Sequence, residues 1–227
     1  MKDHTFVVTG ANRGLGLEFC RQLTAAGADV VATARDPVVA AELRRLSPAR
    51  VEALDVADAA SVASFAAALG ETPVDVLINN AGIGGSSAGI AALDLDETAR
   101  FFAVNSLGPL RVTQALLPHL LRGRRRTVVQ ITSNMGSIAN NAQGGYYSYR
   151  ASKTALNSLN RTLSLELAGK GFVCVALHPG WVRTDLGGAG APLTPGESVR
   201  GLLQVIAGLS PKHNGGFFDH TGAALPW

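Results

Sequence analysis

The sequence has few of the features that mark secreted, membrane or metal-binding proteins. Its only two cysteines, Cys20 and Cys174, have no partner nearby in sequence, so we expect buried thiols rather than a disulfide framework. No apolar run approaches the ~20 residues that span a bilayer, and the N-terminus lacks the apolar core of a signal peptide. The five histidines show no metal-ligand spacing. We therefore expect a soluble, cytoplasmic protein with no metal ion and no membrane contact.

Charge is also sparse. Charged residues make up 16% of the chain and the net charge is +3, which is too small to indicate a nucleic-acid partner. One dense basic run stands between a predicted helix and a strand; it consists of Arg122, Arg124, Arg125 and Arg126. Such a run can contact phosphate or membrane, but cations also suit the C-terminus of a helix, and we favour that interpretation.

The chain does have a regular alternation of apolar runs and helical segments. With 227 residues, 47% of them hydrophobic, it can bury a sizeable core. Strands are predicted at 6–9, 30–33, 51–56, 74–79, 127–132, 172–177 and 217–218, and helices include 15–26, 38–46 and 59–69. Continuous apolar strands between helices are typical of a parallel sheet covered on both faces. We predict one α/β domain over residues 1–227, with a doubly wound parallel sheet of about seven strands.

The most informative pair is Tyr149 and Lys153, which lie four residues apart at the start of a predicted helix. Residues at this spacing share a helix face. A phenol titrates near ~10 and a neighbouring positive charge lowers that pKa, which makes a proton donor or acceptor near neutral pH. A core tyrosine and a solvated lysine are each common singly, so the pair gains its meaning from other motifs.

Two loops at strand ends supply that context. Gly10, Gly14 and Gly16 follow the first strand and open a helix, where glycine lets the backbone approach a pyrophosphate. Asn79-Asn80-Ala81-Gly82 ends the fourth strand, at the edge of the sheet where ligands bind in open α/β folds. Each loop has a simpler interpretation as a connecting turn. Together with Tyr149 and Lys153, they indicate a nicotinamide-dependent oxidoreductase.

The order of these motifs resembles that of the short-chain dehydrogenase/reductase superfamily, from Thr5 to about Thr184. The matching elements are TGxxxGxG from Thr9, NNAG from Asn79, Asn105, Ser133, YxxxK from Tyr149, and Pro179-Gly180. The stretch from Gly136 to Ile138, the YRASK sequence and the ending 219–227 resemble the C-factor and sniffer-type carbonyl reductase branch. The resemblance implies a Rossmann-type fold.

The resemblance also implies a catalytic set. It makes Tyr149 the acid/base, Lys153 the residue that lowers its pKa and holds the nicotinamide ribose, and Asn105 the support for a water-mediated proton relay. Ser133 matches the serine that hydrogen-bonds the substrate oxygen. Ser137 lies nearer the usual spacing from the tyrosine, but we favour Ser133 because it ends a strand.

The nature of the dinucleotide is indicated by charge. An acid after the second strand suits the ribose 2′-hydroxyl, whereas arginine accommodates a 2′-phosphate. Here Arg35 ends the second strand and Arg13 lies in the glycine-rich turn, which favours NADP(H); Asp36 reverses the preference if it faces the ribose instead. The full predicted cofactor set is Gly10, Asn12, Arg13, Gly14, Leu15, Gly16, Arg35, Asp55, Val56, Asn79, Ala81, Gly82, Tyr149, Lys153, Pro179, Gly180, Val182 and Thr184.

We therefore predict reversible reduction of a ketone or aldehyde with NADPH. The small residues of 185–192, with the walls at 84–89 and 140–145, indicate an open site without a charge that selects anions. A dinucleotide-sensing regulatory or signalling protein is the alternative. The resemblance also implies a homodimer or homotetramer, formed by two helices whose apolar faces are Leu110, Thr113, Leu117, Leu121 and Leu156, Leu159, Leu163, Leu167.

Overall fold

The seven strands of the chain form one parallel sheet in the computed structural model, which describes residues 1–48, 50–85 and 89–227. The spatial order is β3-β2-β1-β4-β5-β6-β7, and every neighbouring pair is parallel. The strands are β1 (Thr5–Val8), β2 (Asp29–Ala34), β3 (Arg50–Ala53), β4 (Val76–Asn79), β5 (Thr127–Ile131), β6 (Val173–His178) and β7 (Phe217–Asp219). The predicted seven-stranded, doubly wound sheet is confirmed.

Eight α-helices cover the two faces of this sheet within the described ranges. They are α1 (Gly14–Ala25), α2 (Ala41–Arg45), α3 (Ala59–Ala68), α4 (Leu95–Phe102), α5 (Gly108–Ala115), α6 (Leu117–Arg122), α7 (Tyr147–Leu167) and α8 (Pro195–Ala207). Successive strand residues face opposite ways: Phe6 packs in a core with α1, α2 and α8, whereas Val7 packs in a second core with α3, α5, α6 and α7. The strands are buried on both faces, which accounts for their apolar sequences.

The order of the strands determines where a ligand fits. The chain winds outward from β1 in one direction through β2 and β3, and in the other through β4 to β7. Adjacent loops diverge at the carboxyl ends of β1 and β4, which opens a crevice there. The loops that carry the glycine-rich and NNAG motifs both lie at this edge.

Three predicted elements are shorter by two residues or more, and one of them is the strand predicted at 74–79, which is β4, Val76–Asn79. The predicted helix at 38–46 is α2, Ala41–Arg45, because Asp36 accepts a hydrogen bond from the Val38 amide (2.9 Å) and forms a turn instead. Val38 is 72% exposed and contributes nothing to the core. The predicted strand at 51–56 is β3, Arg50–Ala53. The prediction was too long because apolar residues also follow the end of this strand.

The basic run lies at the opposite edge of the sheet from the crevice. The Arg124 amide donates to Asp75 (2.7 Å), Arg125 donates to the main-chain oxygen of Ile206 (2.8 Å), and Arg126 donates to an oxygen after α7. Two of these contacts end on main-chain oxygens near the C-terminal ends of other helices, α8 and the turn after α7. No helix in the described part of the chain combines the length and apolarity needed to cross a membrane. Both cysteines are free and buried.

Candidate active site

Tyr149 and Lys153 lie in the first two turns of α7, beside the carboxyl end of β5. The Lys153 Nζ lies 5.9 Å from the centroid of the Tyr149 ring and donates a hydrogen bond to the main-chain oxygen of Ile131 (2.9 Å). Phe101 of α4 is buried and meets the Tyr149 ring edge-on, with 6.5 Å between centroids. The pair is therefore held in place from both sides, by β5 and by α4.

Burial dominates the titration of both groups. It raises the pKa of Tyr149, and a hydrogen bond with Ser133 acts in the opposite direction without cancelling it. Burial lowers the pKa of Lys153 from 10.5 to about 8. The expected net lowering of the Tyr149 pKa by Lys153 is therefore wrong for this structure, because desolvation of the phenolate outweighs the other effects. A protonated phenol near neutral pH suits a proton donor.

The lowered pKa of Lys153 predicts a pH-dependent stability. Below pH 8 the lysine is charged in both the folded and the unfolded chain, and burial of the charge destabilises the folded protein. Between pH 8 and 10.5 the folded protein has lost this proton while the unfolded chain still binds it, so the free energy of unfolding rises with pH. Lys153→Met removes the titration. Between about pH 7 and about pH 10, the free energy of unfolding of the cofactor-free wild type should gain up to about 3 kcal/mol on that of the variant. Denaturant titrations at several pH values measure it; a constant difference would contradict the prediction.

Ser133 and Ser137 occupy different environments in the loop after β5. The Ser133 hydroxyl accepts a hydrogen bond from the Met135 amide (3.1 Å) at the start of a single helical turn, and lies close enough to Tyr149 to lower the pKa of the phenol. The Ser137 hydroxyl is buried, donates to the main-chain oxygen of Trp227 (3.2 Å) and accepts from the Asn140 amide (3.1 Å). Of the two serines, Ser133 is therefore the one that influences the phenol.

Asn105 lies in a π-helical segment, Ala103–Leu107, between α4 and α5. Such wide turns recur at functional sites. The buried side chain accepts a hydrogen bond from the Ile83 amide (2.9 Å) and donates to the Ile83 oxygen (3.0 Å). A Cβ atom at Gly82 would stand 3.2 Å from the Asn105 Oδ1 and 3.6 Å from the Lys153 Nζ. Asn105 therefore borders the same space as the lysine.

The glycine-rich turn forms a cradle that side chains would fill. Gly10 has φ +65°, and a Cβ there would stand 2.8 Å from the Cα of Ala81. A Cβ at Gly16 would collide with the main-chain oxygen of Gly10. Arg13, at the N-cap of α1, makes no side-chain cap, so the side chain leaves the first amides of the helix for a ligand. The cradle fits the phosphates of a dinucleotide. The exposed Asn12 and the half-buried Leu15 lie in the same turn.

The two asparagines of the NNAG motif have opposite roles. Asn79 faces inward, donating to the Thr113 hydroxyl of α5 (3.1 Å), so its side chain is directed away from the cradle. Asn80, which is absent from the predicted cofactor set, donates to the main-chain oxygens of Thr9 (2.9 Å) and Gly10 (3.2 Å). It ties the end of β4 to the glycine-rich turn. The inward direction of Asn79 could have been predicted from strand alternation, since Asn79 lies on the same face of β4 as the buried Leu77.

The charged side chains at the crevice differ in whether they already have a partner. Arg35 is exposed at the end of β2, whereas the carboxylate of Asp36 is engaged with the Val38 amide. Arg13 forms an ion pair with Asp185 (2.7 Å), with both side chains more than half exposed. Contacts of this kind contribute little stability, so a competing anion displaces them easily.

The remaining predicted cofactor residues line the same edge. Asp55 caps its own turn by accepting from the Ala57 amide (2.9 Å), and the oxygen of Val56 accepts from Arg111. Pro179, Gly180 and Val182 follow β6, where the Pro179 oxygen accepts from the Ser198 hydroxyl (2.6 Å).

Thr184 links the β6 loop to the glycine-rich turn. A Cβ at Gly14 would stand 3.5 Å from the Thr184 Cγ2. Two residues later, Leu186 reaches across to Gly84, where a Cβ would stand 2.8 Å from the Leu186 Cγ. Of the predicted wall at 84–89, residues 86–88 lie outside the described residues. The part of the chain that is described contains no cluster of three or more metal-ligating side chains.

Known proteins resemble this chain in both sequence and fold. A family model described as short chain dehydrogenase matches residues 4–191. The C-signal protein of Myxococcus xanthus is 52% identical over 164 residues, which cover 72% of this chain and 99% of that protein. Two solved structures superpose with a TM-score of 0.94 and full coverage of both chains: the carbonyl reductase Sniffer of D. melanogaster, 33% identical, and an NADPH-bound carbonyl reductase from chicken fatty liver, 37% identical.

Proposed function

The chain belongs to the short-chain dehydrogenase family, as its motifs predicted, and we propose that it reduces a ketone or aldehyde to an alcohol, reversibly, with NADPH. The observation that carries this proposal is the placement of the Tyr149 ring, with the buried Lys153 Nζ 5.9 Å from its centroid and Ser133 close enough to lower the pKa of the phenol. A protein that only binds a dinucleotide has no need of a proton donor at this point. We further propose that residues 1–227 form one domain that carries both the cofactor and the substrate sites.

In this mechanism the chain handles the proton and the substrate oxygen. A bound nicotinamide supplies the hydride. Ser133 and Tyr149 donate hydrogen bonds to the substrate oxygen, where negative charge grows, and Tyr149 gives up its proton as the alkoxide forms. Lys153 stabilises the phenolate that remains and holds the nicotinamide ribose. Asn105 supports the water relay through which Tyr149 regains its proton from solvent. In the oxidation direction the same groups act in reverse.

NADPH is proposed over NADH because of the charges at the end of β2. The Arg35 guanidinium is exposed there, and the competing Asp36 carboxylate bonds to its own turn. Arg13 supplies a second guanidinium once an anion replaces its ion pair with Asp185. The carbonyl reductase from chicken fatty liver, which is similar to this chain over its full length, binds NADPH and supports the same choice.

Arg35→Gln should weaken NADPH binding by roughly 1.5–3 kcal/mol, the usual contribution of a charged hydrogen bond, and leave NADH binding nearly unchanged. Fluorescence titration of both cofactors measures the two affinities. Arg122→Gln, an exposed arginine at the far edge of the sheet, removes the same charge without touching the site. Equal losses for both cofactors would mean that Arg35 does not contact the 2′-phosphate.

The substrate that we propose is a bulky apolar carbonyl compound. Several apolar side chains are exposed on the loops around Tyr149: Ile138 follows the Ser133 turn, Tyr146 precedes α7, and Trp181 and Leu186 follow β6. The small residues between Gly187 and Ala191 leave the entrance open. A panel of aromatic, aliphatic and carboxylated carbonyls, followed by loss of NADPH absorbance, tests the function. Preference for carboxylated compounds would contradict the proposed class.

We propose that the protein is a homodimer, and that it assembles further into a homotetramer if a second face pairs. Leu107, Leu121 and Leu165 are 47%, 37% and 63% exposed on the segments expected to pair. Three residues predicted to join these faces are buried inside the chain instead: Thr113, which contacts Asn79, and Leu156 and Leu167 of α7. Light scattering at micromolar concentration should give at least twice the chain mass of 23.5 kDa. A 23.5 kDa species would refute the dimer.

A dinucleotide-sensing or signalling protein with little turnover is the second candidate. The likeness to the C-signal protein of Myxococcus xanthus favours it through that protein's name. The two candidates differ in one measurement: a sensor binds NADPH but does not oxidise it with any carbonyl of the panel.

A further inference from the structure

The final residues of the chain fold back onto the loop that carries Ser133. After β7, the Asp219 carboxylate accepts hydrogen bonds from the Thr221 amide (2.8 Å) and the Ala223 amide (3.1 Å), which reverses the chain. The Leu225 amide then donates to the Phe217 oxygen (2.9 Å). This return, residues 219–227, brings Trp227 to the loop after β5, some 90 residues away in sequence.

The ring of Trp227 packs against β7, and its main-chain oxygen binds the loop after β5. The ring stacks on that of Phe217, with 5.2 Å between centroids and 24° between planes. The main-chain oxygen accepts two hydrogen bonds, from the Ala139 amide (3.0 Å) and from the Ser137 hydroxyl (3.2 Å). The stack on β7 therefore fixes an acceptor for two donors of the serine loop.

The contacts continue from Ser137 to Ser133 without a gap. Ser137 also accepts from the Asn140 amide (3.1 Å), and the Asn140 side chain donates to Asn134 (2.7 Å). Within the loop, the Gly136 amide donates to the Ser133 oxygen (2.8 Å). These hydrogen bonds link the C-terminal return, through the loop 134–140, to the residue that carries the serine hydroxyl.

We propose that Trp227 and Ser137 are positioning residues, which hold the loop 133–140 so that the Ser133 hydroxyl meets the Tyr149 phenol. This proposal rests on the proposed reductase function. Neither residue needs to touch the substrate or the cofactor. Displacing a reacting group by about 1 Å is enough to lower turnover by up to 10²-fold, so a remote anchor has a measurable effect.

The test compares Trp227→Ala with Trp227→Phe, which keeps an aromatic ring to stack on Phe217. We expect Trp227→Ala to lower kcat roughly 10-fold, with the KM for NADPH unchanged, and Trp227→Phe to restore most of kcat. Ser137→Ala should lower kcat similarly. The double variant Ser137→Ala/Trp227→Ala should be no worse than the poorer single variant, because both act through one contact.

Hydrogen exchange gives a readout that does not depend on catalysis. In Trp227→Ala the amides of Ala139 and Asn140 should exchange faster, while those of β5 remain protected. If the wild type reduces no carbonyl, the proposed function fails and exchange still decides whether the anchor exists. Unchanged exchange in the loop, or unchanged kcat in an enzyme that is active, would overturn the proposal.

A matched control separates positioning from general destabilisation. Phe218 is the next residue of β7 and faces the opposite way, where it meets the ring of His213 edge-on at 5.9 Å. Phe218→Ala should lower Tm about as much as Trp227→Ala and leave kcat and the exchange of the loop 133–140 unchanged. A similar loss of kcat in Phe218→Ala would assign the effect to stability and overturn the positioning role.

Discussion

Tyr149→Phe is expected to reduce carbonyl turnover by a factor on the order of 10²–10⁴ and to leave NADPH binding nearly unchanged. The substitution removes one oxygen from a ring that keeps its packing against Phe101. Burial raises the pKa of the phenol, so the proton that the reaction needs is present in the wild type at neutral pH. Its loss leaves the forming alkoxide without a donor in place.

The matched control is Tyr147→Phe, which removes the same atom two residues earlier on α7. That side chain is 45% exposed and has no assigned role at the site. Steady-state rates with the best carbonyl of the panel, together with NADPH titrations of both variants, measure the effect. Near-wild-type turnover in Tyr149→Phe would show that another group donates the proton.

The parts of this fold that sequence predicts best are those determined locally. Strand and helix order followed from apolar periodicity, and the cradle followed from glycines whose backbone angle or close approach excludes a side chain, as at Gly10 and Gly16. The relative positions of Tyr149 and Lys153 followed from helix geometry alone. Each of these features depends on residues a few positions apart, which is the range over which sequence patterns carry structural information.

Features that depend on distant contacts were missed or misjudged. The ion pair between Arg13 and Asp185 joins residues 172 positions apart, and no local pattern indicates it. The pKa of Tyr149 depends on its burial by several elements, whereas the sequence prediction considered only the neighbouring charge of Lys153 and gave the wrong direction. The inward direction of Asn79 could have been inferred from strand alternation, but the prediction assigned Asn79 to the cofactor together with Ala81 and Gly82.

The two serines of the loop after β5 also show the difference between local patterns and distant contacts. Sequence spacing favoured Ser137 and the strand end favoured Ser133. In the structure, the hydroxyl of Ser137 is engaged with Trp227 and Asn140, whereas Ser133 lies close enough to the phenol to lower its pKa. A hydroxyl already held by two structural partners is a poor donor to a substrate.

Ser133→Ala should therefore lower kcat by about 10²–10³-fold, the usual effect of losing one donor to a developing oxyanion. Ser137→Ala should be clearly milder, because it loosens the loop without removing the donor. Ser133→Thr, which keeps the hydroxyl, should recover part of the activity. Rates and NADPH affinities of the three variants, measured under one set of conditions, decide the assignment. If Ser137→Ala were the more damaging change, Ser137 would be the residue that meets the substrate oxygen, and Ser133 would serve only to hold the loop beside the Tyr149 ring.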